Sequence, residues 1–255
     1  MGLKVNAHGF RLNNSRNWNS IWYGERKYPV YLQEDFLIRE YIRRKLHKSF
    51  ILGSCVIHRT INNKIYIYLK VYLPKYIRYH KRLRFYRKLP KFIHNLTNLQ
   101  VFLRVQCYKI RPKKRRRFKK LSYRWRKFFR LNKFLKIMLY KPNAELIANY
   151  LKLEVEGSYK EKHSQILRFI KLFIFSKKRL KKRLNKIVIL GMKIELKGRL
   201  NRRARSRKQV IQFGRLPLNN LNIPIQFARS HAITRFGVCG IKVWVAFKPK
   251  NIQKI

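Results

Sequence analysis

The chain has 255 residues and sets 65 Lys and Arg against 9 Asp and Glu, a formal net charge of +56 at pH 7. Charge this one-sided cannot be neutralised from within, so a compact form needs an external polyanion. No apolar run approaches the roughly 20 residues needed to span a bilayer, the stretch Phe169 to Phe175 being broken by Lys171, yet a content of 46% hydrophobic and 14% aromatic residues is enough for a buried core.

After a loop-like start containing Gly2, Gly9 and Gly24, the segment Asp35 to Lys48 places Phe36, Ile38, Tyr41, Ile42 and Leu46 at three- and four-residue spacing. That spacing predicts an amphipathic helix, with Glu34 and Asp35 as capping or dipole partners at its start. Gly53 interrupts the pattern. Ile65, Ile67, Leu69 and Val71 then alternate with Tyr66, Tyr68, Lys70 and Tyr72, as in a strand with one buried face, and Leu99 to Cys107 repeats the alternation. The basic, aromatic stretch between them, Pro74 to Asn98, reads as helical. From Lys109 to Lys136 fifteen Lys or Arg occur in 28 residues without an acid, interleaved with Phe118, Tyr123, Trp125, Phe128 and Phe129. A solvated charge run is the plain reading of such a tract. Its rings favour RNA, because they can stack on unpaired bases while the cations hold phosphates.

Beyond Pro142 a helix is expected to reach Glu156 and to stop at Gly157, followed by a longer one from Glu161 to Ile187. In the second, Leu180, Leu184 and Ile187 share one face and the cations fan around the other. The remainder reads as strands through Met192, Ile194 and Leu196, through Ile223, Ile225 and Phe227, and through Ile241, Val243, Val245 and Phe247. The fold class expected is therefore α+β in two domains.

Catalytic parts are missing. Metal-assisted cleavage of nucleic acid needs clustered carboxylates, and the one aspartate is Asp35. No Gly-rich phosphate loop or nucleophile motif occurs. Cys55, Cys107 and Cys239 lie far apart without metal spacing and read as ordinary buried thiols. No metal or other cofactor is expected.

Several blocks together resemble the small-subunit ribosomal protein three family of bacteria and organelles. They are Met1-Gly2-Leu3-Lys4-Val5-Asn6, Gly9-Phe10-Arg11-Leu12, Trp18-Asn19-Ser20-Ile21-Trp22-Tyr23, Lys193-Ile194-Glu195 with Gly198-Arg199-Leu200, and Gly214-Arg215-Leu216-Pro217-Leu218 followed by Gly237-Val238 and Gly240-Ile241-Lys242-Val243-Trp244-Val245. The resemblance implies that the first domain is a type-two KH-like fold, and with the residue patterns the chain divides into an N-terminal extension over 1–34, the KH-like domain over 35–110, a basic inserted arm over 111–140 that has no counterpart in the family, a C-terminal domain of two helices on a mostly antiparallel sheet over 141–248, and a tail over 249–255. The KH-like domain departs from its pattern. No glycine lies between Gly53 and Gly157, and the stretch matching the glycine loop includes Arg78-Tyr79-His80-Lys81-Arg82.

The function so implied is structural: binding ribosomal RNA in the small-subunit head and lining the channel where messenger RNA enters. Ribosomal RNA contacts are expected at Lys4, His8 and Arg11; at Arg78, His80, Lys81 and Arg82; at Arg115, Arg116, Arg117, Arg124 and Arg126; and at Arg199, Arg202, Arg203 and Arg205. The messenger channel is expected at Lys177, Lys178, Arg179, Lys181, Lys182 and Arg183, where lysine keeps the charge but lacks the guanidinium fork. Partners would be ribosomal RNA, messenger RNA and neighbouring head proteins, with no membrane. The family-like opening at Met1 without an import signal, the lost glycine loop and the insert point to a ribosome in the mitochondrion, ahead of plastid or bacterial cytoplasm. A non-ribosomal RNA-binding or splicing factor is the alternative, and a nucleic-acid-cleaving enzyme the further one.

Overall fold

The computed structural model describes residues 5–46, 50–73, 79–109, 143–157, 170, 189–200 and 205–248. It is an α+β protein of two compact units, Trp18–Arg111 and a second one formed by Met1–Asn17 together with Pro112–Ile255. The expected extension over 1–34 is thus shared out, its first part belonging to the second unit.

The first unit runs β1 (Ser20–Ile21), α1 (Tyr28–Leu46), β2 (Ile51–Thr60), β3 (Lys64–Leu73), α2 (Tyr79–Thr97) and β4 (Gln100–Lys109), with sheet order β1-β2-β3-β4. A three-residue turn closes the β2–β3 hairpin, with Asn63 left-handed at φ 53° and Thr60 Oγ1 donating to the Lys64 carbonyl at 3.2 Å. β3 and β4 are parallel and therefore need the crossover that α2 supplies. One sheet face carries Ile57, Ile65, Ile67, Leu69 and Val71. It packs under Ile38 and Ile42 of α1 and Leu89 and Ile93 of α2, each helical pair four residues apart so that both side chains point the same way. Tyr41 and Phe92 stack between the helices, 3.7 Å apart and 6° from parallel. Helix α2 ends on Asn98, left-handed at φ 53°, whose N–H donates to the His94 carbonyl at 2.7 Å.

Two expectations change here. The first helix begins at Tyr28, not Asp35, with Pro29 tolerated in its first turn and no acid there to signal the start. Gly53 does not interrupt structure: it lies inside β2, where the register with β3 shifts between Leu52 and Cys55 in a bulge.

In the second unit, α3 (Ala144–Glu156) is followed by β5 (Ile189–Gly198), β6 (Arg207–Gly214), β7 (Ile225–Thr234) and β8 (Gly237–Phe247), an antiparallel sheet of order β6-β5-β8-β7. Asn143 caps α3, its Oδ1 accepting from the Leu146 N–H at 3.2 Å, and the helix ends at Gly157. The helix buries Ala144, Leu146, Ile147, Ala148, Tyr150, Leu151 and Val155 and packs on β7 and β8, while Glu145, Asn149, Lys152 and Glu156 line its other side. Ser230 Oγ donates to the Ala148 carbonyl at 3.0 Å, so even the sheet's buried hydroxyl is satisfied by the helix. The expected second helix lies outside the described residues except for Ile170, which is helical and fully buried. Gly214 faces Gly191 across the β5–β6 pair at φ +69°, and a Cβ added there would meet the Leu190 carbonyl oxygen at 2.2 Å.

Candidate nucleic-acid interface

The opening segment is held from inside. Arg11 is fully buried, and among the described residues its guanidinium meets no carboxylate; it donates instead to carbonyls of Ala7 (3.2 Å), Pro217 (3.4 Å), Leu218 (2.9 Å), Asn220 (2.7 Å) and Ile223 (3.0 Å). Five carbonyl dipoles replace the water that the cation loses. Ala7 adds an apolar contact to Ile225, Trp244 and Ala246. Arg11 is therefore corrected from an RNA contact to a structural residue, because no donor is left facing solvent. Ile223, expected in a strand, lies before β7 and lends Arg11 its carbonyl. His8 is half-buried; desolvation, reinforced by the Arg16 charge, holds its imidazole below the ordinary value.

Carboxylates, scarce as they are, have structural tasks. Asp35 is 2% exposed: Oδ1 accepts from Arg59 Nη2 at 2.6 Å, and Oδ2 accepts from Ser20 Oγ at 2.7 Å and Trp22 Nε1 at 2.9 Å. Glu34 takes the remaining arm of Arg59 at 2.6 Å, and the guanidinium lies 4.7 Å from the Tyr31 ring. The pair expected to cap a helix start instead sits inside α1 and ties β1 and β2 to it. Trp22, packed edge-on against Tyr28 and Tyr31, is a packing residue.

Cations collect on the face of the second sheet that α3 leaves uncovered. The register puts Lys197 opposite Lys208, and Lys242 opposite Arg229, with His231 two residues further along β7; all five are exposed. Like charges directly across a sheet repel. The one acid on this face, Glu195, is buried and pairs with Lys208 at 3.1 Å. Such a face gains from an external anion. Lys197, Arg229, His231 and Lys242 stand outside the runs of cations that mark a basic patch in a linear sequence; the available signal was the period-two placement of Arg229 and His231.

Of the other expected residues, Arg199 is exposed beside the Phe236 ring at 6.0 Å and Arg205 is exposed just before β6, which Arg207 starts. His80, Lys81 and Arg82 fall in the first turn of α2, their side chains outside the described part. Lys4, Arg78, Arg115, Arg116, Arg117, Arg124, Arg126, Arg202, Arg203 and the cluster Lys177, Lys178, Arg179, Lys181, Lys182 and Arg183 lie outside the described residues.

The outer face of α1 has another character. Val30, Leu32, Phe36 and Leu37 are exposed there, and Glu40, on the same helix, pairs with Arg44.

Residues 174–245 match the family described as ribosomal protein S3, C-terminal domain. Along its length the chain is 28% identical to small ribosomal subunit protein uS3 of Pelagibacter ubique, covering 96% of this chain and 89% of that protein. It is also 28% identical to uS3 of Kosmotoga olearia, over 100% of this chain and 98% of the relative. For uS3 of Nitrosomonas eutropha the identity is 29%, over 99% and 97%.

Proposed function

Because the chain belongs to the ribosomal protein S3 family, we propose that the cationic face of its second sheet, around Lys197, Arg229 and Lys242, holds ribosomal RNA in the small-subunit head. The protein is a structural constituent of the small ribosomal subunit and not an enzyme. Its partners are ribosomal RNA and small-subunit proteins, on a ribosome of the cytoplasm or of an organelle. The observation that carries the assignment of the face is the cross-strand apposition of Lys242 with Arg229 and of Lys197 with Lys208, which phosphates would relieve.

Arg199, Arg205 and half-buried His8 join this surface as further ribosomal RNA contacts, and the basic arm over 111–140 is a second. The cluster from Lys177 to Arg183 lines the messenger entrance. Replacing Lys177, Lys178, Lys181 and Lys182 by Ala is expected to leave assembly intact and slow translation of hairpin-bearing messages; an unchanged rate removes that role. The first unit is KH-like without a glycine loop, a reading supported by its helix-strand-strand-helix-strand order with β2–β3 antiparallel and β3–β4 parallel. The apolar outer face of α1, where Val30, Leu32, Phe36 and Leu37 are exposed, suits a protein neighbour better than RNA. The ribosome is that of a mitochondrion, which fractionation of organelles tests.

Sedimentation of a high-magnesium lysate decides the central reading. The chain is expected to travel with small-subunit RNA, and migration away from it overturns the assignment.

A further inference from the structure

We propose that the part of the first unit's sheet that carries Tyr66, Tyr68 and Phe102, on the side away from α1 and α2, is a stacking platform for unpaired RNA bases, with Phe102 as its outermost ring. The proposal rests on the chain being an RNA-binding ribosomal protein and adds a site of its own. Register sets His58 beside Tyr66 and Tyr66 beside Phe102 in one row across three strands. Tyr66 and Phe102 are stacked with centroids 5.1 Å apart and planes 16° from parallel, and His58 leans on Tyr66 at 6.3 Å. β4 is the last strand of the sheet, so among the described residues the row ends at Phe102, which is 46% exposed.

An apolar ring at the open end of a stack is extended by another flat ring, and a nucleobase is the flat ring that a strongly basic chain meets. The next row along the strands adds Tyr68, exposed and opposite Arg104 on β4, and Lys70 follows on the same face. Bases on Phe102 and Tyr68 would leave their phosphates in reach of the two cations. No Asp or Glu belongs to this face, nor to any position between Glu40 and Glu145, so a phosphate meets no repulsion from it. Charge also selects the occupant. A protein covering these rings would have to supply carboxylates for Arg104 and Lys70, whereas RNA brings an anion with every nucleotide. Helices α1 and α2 fill the opposite face, so stacking requires no repacking of the core.

Two measurements test this. In intact small-subunit particles, short-wave ultraviolet irradiation and mass spectrometry of the cross-links should find nucleotide on Phe102, Tyr66 or Tyr68, and Phe102→Leu should remove it while the chain stays in the particle. With the purified full chain, Phe102→Leu and Tyr68→Leu should each weaken binding of a single-stranded RNA oligomer by about 5- to 150-fold. Binding of the same backbone made abasic should not change. Arg104→Ala should weaken both and flatten the salt dependence. Equal effects of the ring substitutions on the two oligomers, no effect on either, or cross-links from Phe102 to a neighbouring protein overturn the platform. Failure of the chain to sediment with the subunit would instead overturn the ribosomal reading, and the oligomer comparison would still decide the platform.

Discussion

The Nη2 of Arg11 donates to the carbonyl of Asn220 at 2.7 Å across 209 residues of chain. Removing the guanidinium strands five carbonyls and leaves a hole in a packed loop. Arg11→Ala should cost about 2–5 kcal/mol, and Arg11→Lys should recover only part of this because an ammonium cannot span the same fork of acceptors. Denaturant midpoints of the purified chain in high salt would measure both, and a change below about 0.5 kcal/mol for Arg11→Ala would contradict the buried role.

Asp35 and Arg59 form a buried ion pair, and breaking one partner should be worse than removing both. Asp35→Asn is expected to cost about 3–5 kcal/mol, whereas Asp35→Leu combined with Arg59→Met should cost less than the sum of the two single changes. A double-mutant cycle reads the coupling directly, and strict additivity would deny it.

On the second sheet, stability and affinity should move in different directions. Arg229→Ala or Lys242→Ala relieves a like-charge apposition and should leave the melting temperature unchanged or raised, while RNA affinity falls and the salt slope drops by about 0.9 for each phosphate no longer held. Filter binding across a salt series would show this; an unaltered slope would remove that residue from the interface.

His8 supplies a pH test. Burial, with Arg16 adding to it, lowers its folded-state pKa from the ordinary 6.5, so below pH 6.5 the unfolded chain takes up the proton first. Stability is then fully present above that pH and declines as the solution is acidified toward the lower folded value. His8→Gln should flatten that decline in equilibrium unfolding followed from neutral to mildly acidic pH, and a curve parallel to wild type would show that His8 is not its source.

Gly214→Ala should be strongly destabilising, because the new methyl would enter the Leu190 carbonyl and the residue sits at φ +69°. A loss exceeding about 1–3 kcal/mol is expected, since strain alone accounts for that much. The same substitution at Gly237, where φ is +114° but no atom lies within 4 Å of a built Cβ, isolates the conformational part from the clash.

Regular alternation made β3, β4, β5 and β8 legible in the sequence, since one buried face at period two leaves few other readings. β6 was hidden because an edge strand buries little, and its apolar residues Val210, Ile211 and Phe213 sit among polar ones. β2 was hidden by Gly53, whose bulge keeps the strand going where local propensity ends it. The site was harder to read for a different reason. Runs of Lys and Arg stand out in a linear sequence, whereas Arg229 and Lys242 become neighbours only through strand register. Arg11 shows the converse: nothing near it in sequence distinguishes a buried arginine from a phosphate ligand, because its acceptors lie on a distant loop.

Residues Met1–Asn17 belong with Pro112–Ile255, while Trp18–Arg111 closes on itself. For a chain made from its amino terminus, this sets an order of events. The first unit can form once Arg111 has left the ribosome that makes it, but Arg11 must wait for the carbonyl of Ile223, 212 residues later. At synthesis rates of about 5–20 residues per second, the delay is on the order of ten to forty seconds. Through that interval the opening stretch is translated but unplaced, open to proteases, chaperones or premature RNA capture, and its docking marks the completion of the second unit.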